Sequence, residues 1–175
     1  MTVALYPGTF DPVHYGHIDI ATRAAAMFER LVVAVYDRPL KSLLFSTMER
    51  VALARQALAH LSNVVVSSYG GLTVAFARQQ GASVMVRGLR VTYDFELEYQ
   101  MALTNKSLAS EVETVLLVTS LQYAFVSSSI VKEVALAGGC VDKMVPAFVQ
   151  VALREKLQAL GEVSSDKVKV VSLRD

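Results

Sequence analysis

The chain has 175 residues, a hydrophobic fraction of 53% and a formal net charge of +1, which suits one domain with a sizeable core. Its mean hydropathy of +0.41 is high for a soluble protein; strands covered on both faces would explain part of it, and a subunit interface would explain more. The near-zero charge excludes a broad basic surface for bulk nucleic acid, and no apolar run reaches the roughly 18 residues of a membrane span.

In chain order, the first strand is expected over Thr2–Tyr6, followed by Pro7-Gly8-Thr9-Phe10-Asp11-Pro12-Val13-His14-Tyr15-Gly16-His17. The segment has no basic n-region and breaks at Pro7, so a signal peptide is not expected. A strand that breaks into a Gly-containing turn and re-enters helix at a Gly-His pair suits an anion: small residues let the backbone approach, and the free N–H groups of the helix point at the ligand. A tight turn with capping residues is the plainer alternative. A helix over Gly16–Phe28 and a strand over Leu31–Tyr36 follow. In Arg38–Lys41, Lys41 is placed to reach an anion, although by itself it reads as a solvated loop lysine. Ser46 with Glu49 three residues on forms a capping box for a helix whose apolar positions are Val51, Ala54, Leu58 and Leu61. His60, at that helix's end, reads as a solvated residue favouring the helix dipole.

The next strand is expected over Val64–Ser67, then a helix over Leu72–Gln80 closed by Gly81, then a strand over Ser83–Val86. Arg87-Gly88-Leu89-Arg90 comes directly after it; two arginines spaced by three suit bidentate phosphate contacts, with a surface pair as the alternative. In the following helix, Tyr93–Leu108, the residues Asp94, Glu98, Met101 and Asn105 fall within roughly 60° of one another at about 100° per residue. Phe95, Tyr99 and Ala102 lie beside this stripe and are expected to be buried. After a strand over Thr114–Val118, the run Tyr123-Ala124-Phe125-Val126-Ser127-Ser128-Ser129 enters a helix over Ser129–Ala137. Three serines at a helix start exceed what capping requires and offer a second anion site. Gly138-Gly139 stops that helix, and Pro146 opens a last one ending near Gly161. Residues 1–161 then form one domain. The tail, 162–175, alternates Val168, Val170 and Val171 as an edge strand or disordered segment with no assigned function. The single Cys140 permits no internal disulfide and fits a reducing cytoplasm. Three histidines and one cysteine suggest no zinc site unless all four converge.

Five Val- and Leu-rich strands alternating with helices predict an α/β, Rossmann-like doubly wound domain with a five-stranded parallel sheet and C-terminal helices. Ligands bind such sheets at the carboxyl ends of the strands, near the point where strand order reverses. All four polar clusters fall at those ends.

His14-Tyr15-Gly16-His17 resembles the H/T-x-G-H signature of the nucleotidyltransferase superfamily, which takes a polar donor first and histidine second; His14 is thereby a second candidate for phosphate. Tyr6 to Pro12, Arg87 to Arg90, Asp94-Phe95-Glu96 and Ser127-Ser128-Ser129-Ile130-Val131-Lys132-Glu133 narrow the likeness to bacterial phosphopantetheine adenylyltransferases over roughly residues 3 to 160. In related families the serine run leads to an arginine, whereas here Lys132 follows. The resemblance implies adenylyl transfer from ATP to 4′-phosphopantetheine, yielding dephospho-coenzyme A and pyrophosphate. Carried over by position, His17, Lys41 and Arg90 are catalytic, while Thr9, Lys41, Thr73 and Arg87 hold phosphopantetheine. ATP is held by Thr9, Phe10, His17, Gly88, Leu89, Arg90, Glu98, Tyr123, Ala124, Phe125, Val126, Ser127, Ser128 and Ser129. The resemblance further implies Mg²⁺ bound with ATP, a homohexamer and a coenzyme A feedback ligand. Tyr123 departs from a common tryptophan, Leu97 from a tyrosine, and Thr73 from a larger apolar residue that would pack the pantetheine arm. Competing readings are a nucleotidyltransferase with another acceptor, such as nicotinamide mononucleotide or glycerol 3-phosphate, and a non-catalytic ATP or coenzyme A sensor. A fragment of a class I aminoacyl-tRNA synthetase is disfavoured by the short chain and near-neutral charge.

Overall fold

A computed structural model describes residues 2–40 and 42–163, apart from the side chains of Tyr93, Glu162 and Val163. Lys41 and the valines expected to alternate in the tail lie outside the described residues. The elements are β1 (Val3–Gly8), α1 (Tyr15–Met27), β2 (Arg30–Tyr36), α2 (Thr47–Ala57), β3 (Val64–Tyr69), α3 (Thr73–Gln79), β4 (Ala82–Leu89), α4 (Thr92–Leu108), β5 (Glu113–Val118), α5 (Ser128–Leu136) and α6 (Ala147–Val163), with a 3-10 turn at Leu121–Tyr123. All strand pairs are parallel, in the order β3-β2-β1-β4-β5. The chain therefore leaves β1 in one direction for β2 and β3 and returns to its other side for β4. That reversal opens a crevice between the carboxyl ends of β1 and β4.

Alternation along the strands divides the core in two. Ala4, Tyr6, Leu31, Val33, Val35, Val66 and Val86 pack with Ile20, Ala24, Ala54, Val131, Val149 and Leu153, on the face covered by α1, α2, α5 and α6. Val3, Leu5, Val32, Ala34 and Met85 pack with Val74, Phe76, Ala77, Ala109 and Val112 on the other face. Burial on both faces is why these strands read as near-continuous apolar runs.

Local signals act where expected. Ser46 Oγ accepts the Glu49 N–H and the Glu49 carboxylate accepts the Ser46 N–H, the capping box that starts α2. Gly81 adopts φ 66° after α3, a conformation that suits a residue without Cβ. Three expectations are corrected. β4 continues through Leu89, so Arg87, Gly88 and Leu89 belong to the strand, held by pairing with Leu116, Leu117 and Val118 of β5. The last helix passes Gly161 to Val163. Phe95 and Tyr99 are 49% and 53% exposed, because α4 turns its polar stripe, not this apolar side, toward the sheet.

Candidate active site

A cavity of about 670 Å³ opens at the carboxyl ends of β1 and β4. Its floor begins where β1 ends. Gly8 is required by close approach, since a Cβ there would lie 2.9 Å from the Phe10 ring. Phe10 takes φ 52°, uncommon for a bulky residue. It is held there by burial, by an edge contact to Tyr6 at 5.5 Å between centroids, and by the His17 ring at 4.7 Å.

Helix α1 then starts with a capping box made from two histidines. His14 Nδ1 accepts the His17 N–H and His17 Nδ1 accepts the His14 N–H, both at 3.3 Å, and the rings stack 3.7 Å apart. Because His17 Nδ1 is an acceptor here, its neutral ring carries the proton on Nε2. Gly16 makes room for this stack: a Cβ would sit 3.1 Å from the His14 ring. Burial, reinforced by the Arg90 charge, pushes His14 down to about 3, so His14 is neutral at physiological pH. It serves as the cap that orients His17.

The two arginines reach the cavity already gripped. Arg87 gives a bidentate edge to Glu98, with Nε–Oε2 2.7 Å and Nη2–Oε1 2.6 Å, while Nη1 donates to the Pro7 carbonyl at 2.6 Å. Arg90 pairs through Nε and Nη2 with Asp94 at 3.0 and 3.1 Å, and Nη1 reaches the Val126 carbonyl at 3.3 Å. These pairs explain the polar stripe of α4: Asp94, Glu98, Met101 and Asn105 all face the cavity. Gly88 lets β4 pass close to α1, since a Cβ there would lie 3.2 Å from Ile20 Cγ1.

Across the crevice, Ser127 caps α5 by accepting the Ile130 N–H at 3.1 Å, and Ser128 donates to the Pro12 carbonyl at 3.0 Å. Both line the cavity with Ser129, as do Thr9, Phe10, His17, Thr73, Arg87, Gly88, Arg90 and Glu98. Thr73 Oγ1 lies 2.9 Å from the Tyr69 hydroxyl. Leu89, Tyr123, Ala124, Phe125 and Val126 are outside this lining. Leu89 instead accepts the Thr119 N–H, Tyr123 stacks on Tyr15, and Phe125 is half-exposed.

Two residues behind the cavity were not singled out from the sequence. Asp11, 1% exposed, accepts the Leu44 and Phe45 N–H groups and an ion pair from Lys132 at 2.8 Å. Arg50 is fully buried, its guanidinium hydrogen-bonded to Thr9, Tyr36, Phe45 and Thr47. A signal for Arg50 was present. It shares one helical face with Ala54 and Ala57, at i+4 and i+7, and so interrupts an otherwise apolar stripe.

Among the described residues no group of three or more His, Cys, Asp or Glu could hold a metal ion, and Asp94 and Glu98 are committed to arginines. No helix there is long and apolar enough to cross a membrane.

The cytidylyltransferase-like family model matches residues 5–134. Among curated relatives, the phosphopantetheine adenylyltransferase of Carboxydothermus hydrogenoformans is 48% identical over 92% of this chain and 99% of its own. That of Desulforudis audaxviator is 52% identical over 93% and 99%, and that of Heliobacterium modesticaldum 54% identical over 89% and 93%. A crystal structure from Vibrio parahaemolyticus assigned as a nicotinate-nucleotide adenylyltransferase superposes with a TM-score of 0.67 over 90% of this chain and 95% of that one; at 16% identity it speaks to the fold alone. With half of its residues identical to these relatives across nearly its whole length, the chain belongs to the phosphopantetheine adenylyltransferases of the cytidylyltransferase-like family.

Proposed function

We propose that the chain transfers the adenylyl group of ATP to 4′-phosphopantetheine, releasing dephospho-coenzyme A and pyrophosphate, in the cavity between the ends of β1 and β4. The observation that carries this reading is the convergence there of His17, Arg87, Arg90 and the N-terminus of α5 with its three serines. The names of the relatives support the acceptor. The acceptor phosphate has a second pKa of about 6 and is mostly dianionic near neutrality, so it attacks without a general base from the protein. Two polyanions must nonetheless be brought together, and the residues' work is electrostatic and positional.

In this reading His17 Nε2–H donates to charge that grows on the α-phosphate during in-line attack, while the neutral His14 beneath holds the ring in place. Arg90 and Lys41 offset the phosphate charge. Arg87 contributes positive potential and fixes the Pro7 carbonyl, its bidentate edge being given to Glu98. Thr9, Phe10, Gly88, Glu98 and Ser127 to Ser129 frame ATP; Leu89 and Tyr123 to Val126 lie outside that lining, Val126 acting through its carbonyl on Arg90. Thr73 and Arg87 border phosphopantetheine. Mg²⁺, entering with ATP and held chiefly by its phosphates, supplies further charge neutralisation; with Asp94 and Glu98 already paired, the chain's own contribution is the cationic wall.

The exposed apolar side of α4, with Phe95, Tyr99 and Leu103 about half-exposed, supports a homo-oligomer, proposed as a hexamer. A cytoplasmic location and feedback by coenzyme A, which carries both halves of the product, complete the proposal. The test is pyrophosphate release from ATP or CTP with phosphopantetheine, nicotinamide mononucleotide or glycerol 3-phosphate as acceptor. Release with ATP and phosphopantetheine alone is expected. ATP binding without release would favour a sensor, and preference for another acceptor would reassign the substrate.

A further inference from the structure

Arg50 is the most deeply buried charged side chain among the described residues, at 0% exposure, and it does not line the cavity. Removing a guanidinium from water is costly unless its donors are satisfied. Here they are: Nη1 donates to the Thr9 and Tyr36 carbonyls, both at 2.8 Å, Nε to the Phe45 carbonyl at 3.2 Å, and Nη2 to Thr47 Oγ1 at 2.9 Å. If packing were the only need, an apolar residue of similar volume would fill the space. Three of the four acceptors are main-chain carbonyls from segments that do not pair there in the sheet: the turn after β1, the end of β2, and the approach to α2. One planar fork thus ties three chain segments together, a task that a lysine's single nitrogen cannot match.

Thr9 is the informative partner. Its carbonyl and the Phe10 N–H belong to the same planar peptide unit, and the cis peptide recorded in this turn is Asp11–Pro12, so this unit is trans. In a trans unit the C=O and N–H point in opposite directions. With the Thr9 carbonyl drawn toward Arg50 in the core, the Phe10 N–H points away from Arg50, and both Thr9 and Phe10 border the cavity. Phe10 then turns the chain with φ 52°, a conformation that persists only when the surroundings over-determine it.

We propose that Arg50 is a positioning residue for the reaction: by holding the Thr9 carbonyl, it aims the Phe10 N–H at a phosphate group of the bound nucleotide. The inference rests on the functional reading above. Arg50 touches no substrate and acts through the peptide plane it orients.

The test uses the full chain, with kcat for pyrophosphate release, calorimetric affinities for pyrophosphate and for adenosine, and the urea midpoint. For Arg50→Lys, kcat should fall on the order of 10²-fold, as for loss of one preorganised donor. Pyrophosphate affinity should fall about tenfold and adenosine affinity stay within about twofold, since adenosine has no phosphate to feel the peptide. Val51→Ala, a core truncation beside it, serves as the stability control: its urea midpoint should fall while kcat and pyrophosphate affinity per folded molecule stay native. Thr47→Val leaves the guanidinium in place but removes one acceptor, and about a 3- to 10-fold drop in kcat is expected from the loosened fork. If Arg50→Lys does not fold, Thr47→Val carries the test. The proposal is overturned by native kcat in a folded Arg50→Lys (or, failing that variant, in Thr47→Val). Equal weakening of adenosine and pyrophosphate, or matching losses in Val51→Ala, would also overturn it. Failure of the unaltered chain to bind ATP or release pyrophosphate would instead defeat the functional reading itself.

Discussion

Acid should destabilise this protein through His14, and the size of the effect follows from its surroundings. His14 is 5% exposed, stacked on His17 and facing the Arg90 charge, and its pKa drops from 6.5 to about 3. The unfolded chain takes up a proton near pH 6.5, whereas the folded protein does not until about pH 3. Between these values the unfolded state binds more protons, so stability falls as pH falls. The contribution is nearly complete above pH 6.5. At pH 5 the linkage amounts to about 2 kcal/mol, from a pKa gap of about 1.5 units between the unfolded group and the solution. For a chain of this size that corresponds to a Tm loss of about 4–8 °C. His14→Thr removes the titration while keeping a side-chain oxygen able to cap α1. Urea unfolding of both proteins at pH 7.5 and pH 5 checks the reasoning, because carboxylate contributions common to both cancel in the difference. The unaltered protein should lose about 2 kcal/mol more than His14→Thr on going to pH 5. An equal loss in the two would refute the claim that buried, neutral His14 is the source.

His17→Ala should lower kcat by about 10²–10³ and change ATP affinity less, measured as a split between kcat and KM; near-normal turnover would remove His17 from the mechanism. In Gly16→Ala the new methyl meets the His14 ring at 3.1 Å, so the histidine stack must shift. A stability loss of about 1–3 kcal/mol and at least a tenfold fall in kcat are expected, read by urea unfolding and the pyrophosphate assay. Ser46→Ala breaks the capping box that starts α2. It should cost about 0.5–2 kcal/mol in the unfolding curve.

Much of the site was visible in the residues because its parts are local. The capping box of α2, the glycine after α3, the helix entry at Gly16-His17 and the stripe Asp94–Glu98–Met101–Asn105 are all spacings within a few turns, and spacing survives in one dimension. Their convergence was foreseeable too, since strands joined by crossover helices bring their carboxyl ends to one edge. Strand ends were less legible: β4 runs on through Leu89 because β5 pairs with it, and nothing in Arg87-Gly88-Leu89 announces that partner.

The sequence by itself determined the alternation of strands and helices, the anion-binding character of the turn and the chemistry of the family, because those depend on residue type and short-range order. Only the tertiary structure decided which groups are free to act. It committed the Arg87 edge to Glu98, left His14 neutral beneath His17, paired Asp11 with Lys132, and buried Arg50 against three carbonyls. It also turned Phe95 and Tyr99 outward, against the expectation that they lie in the core. Each of these depends on burial or on partners brought together by the folded chain, and a side chain's charge, tautomer and spare donors are settled by those neighbours rather than by its place in the chain.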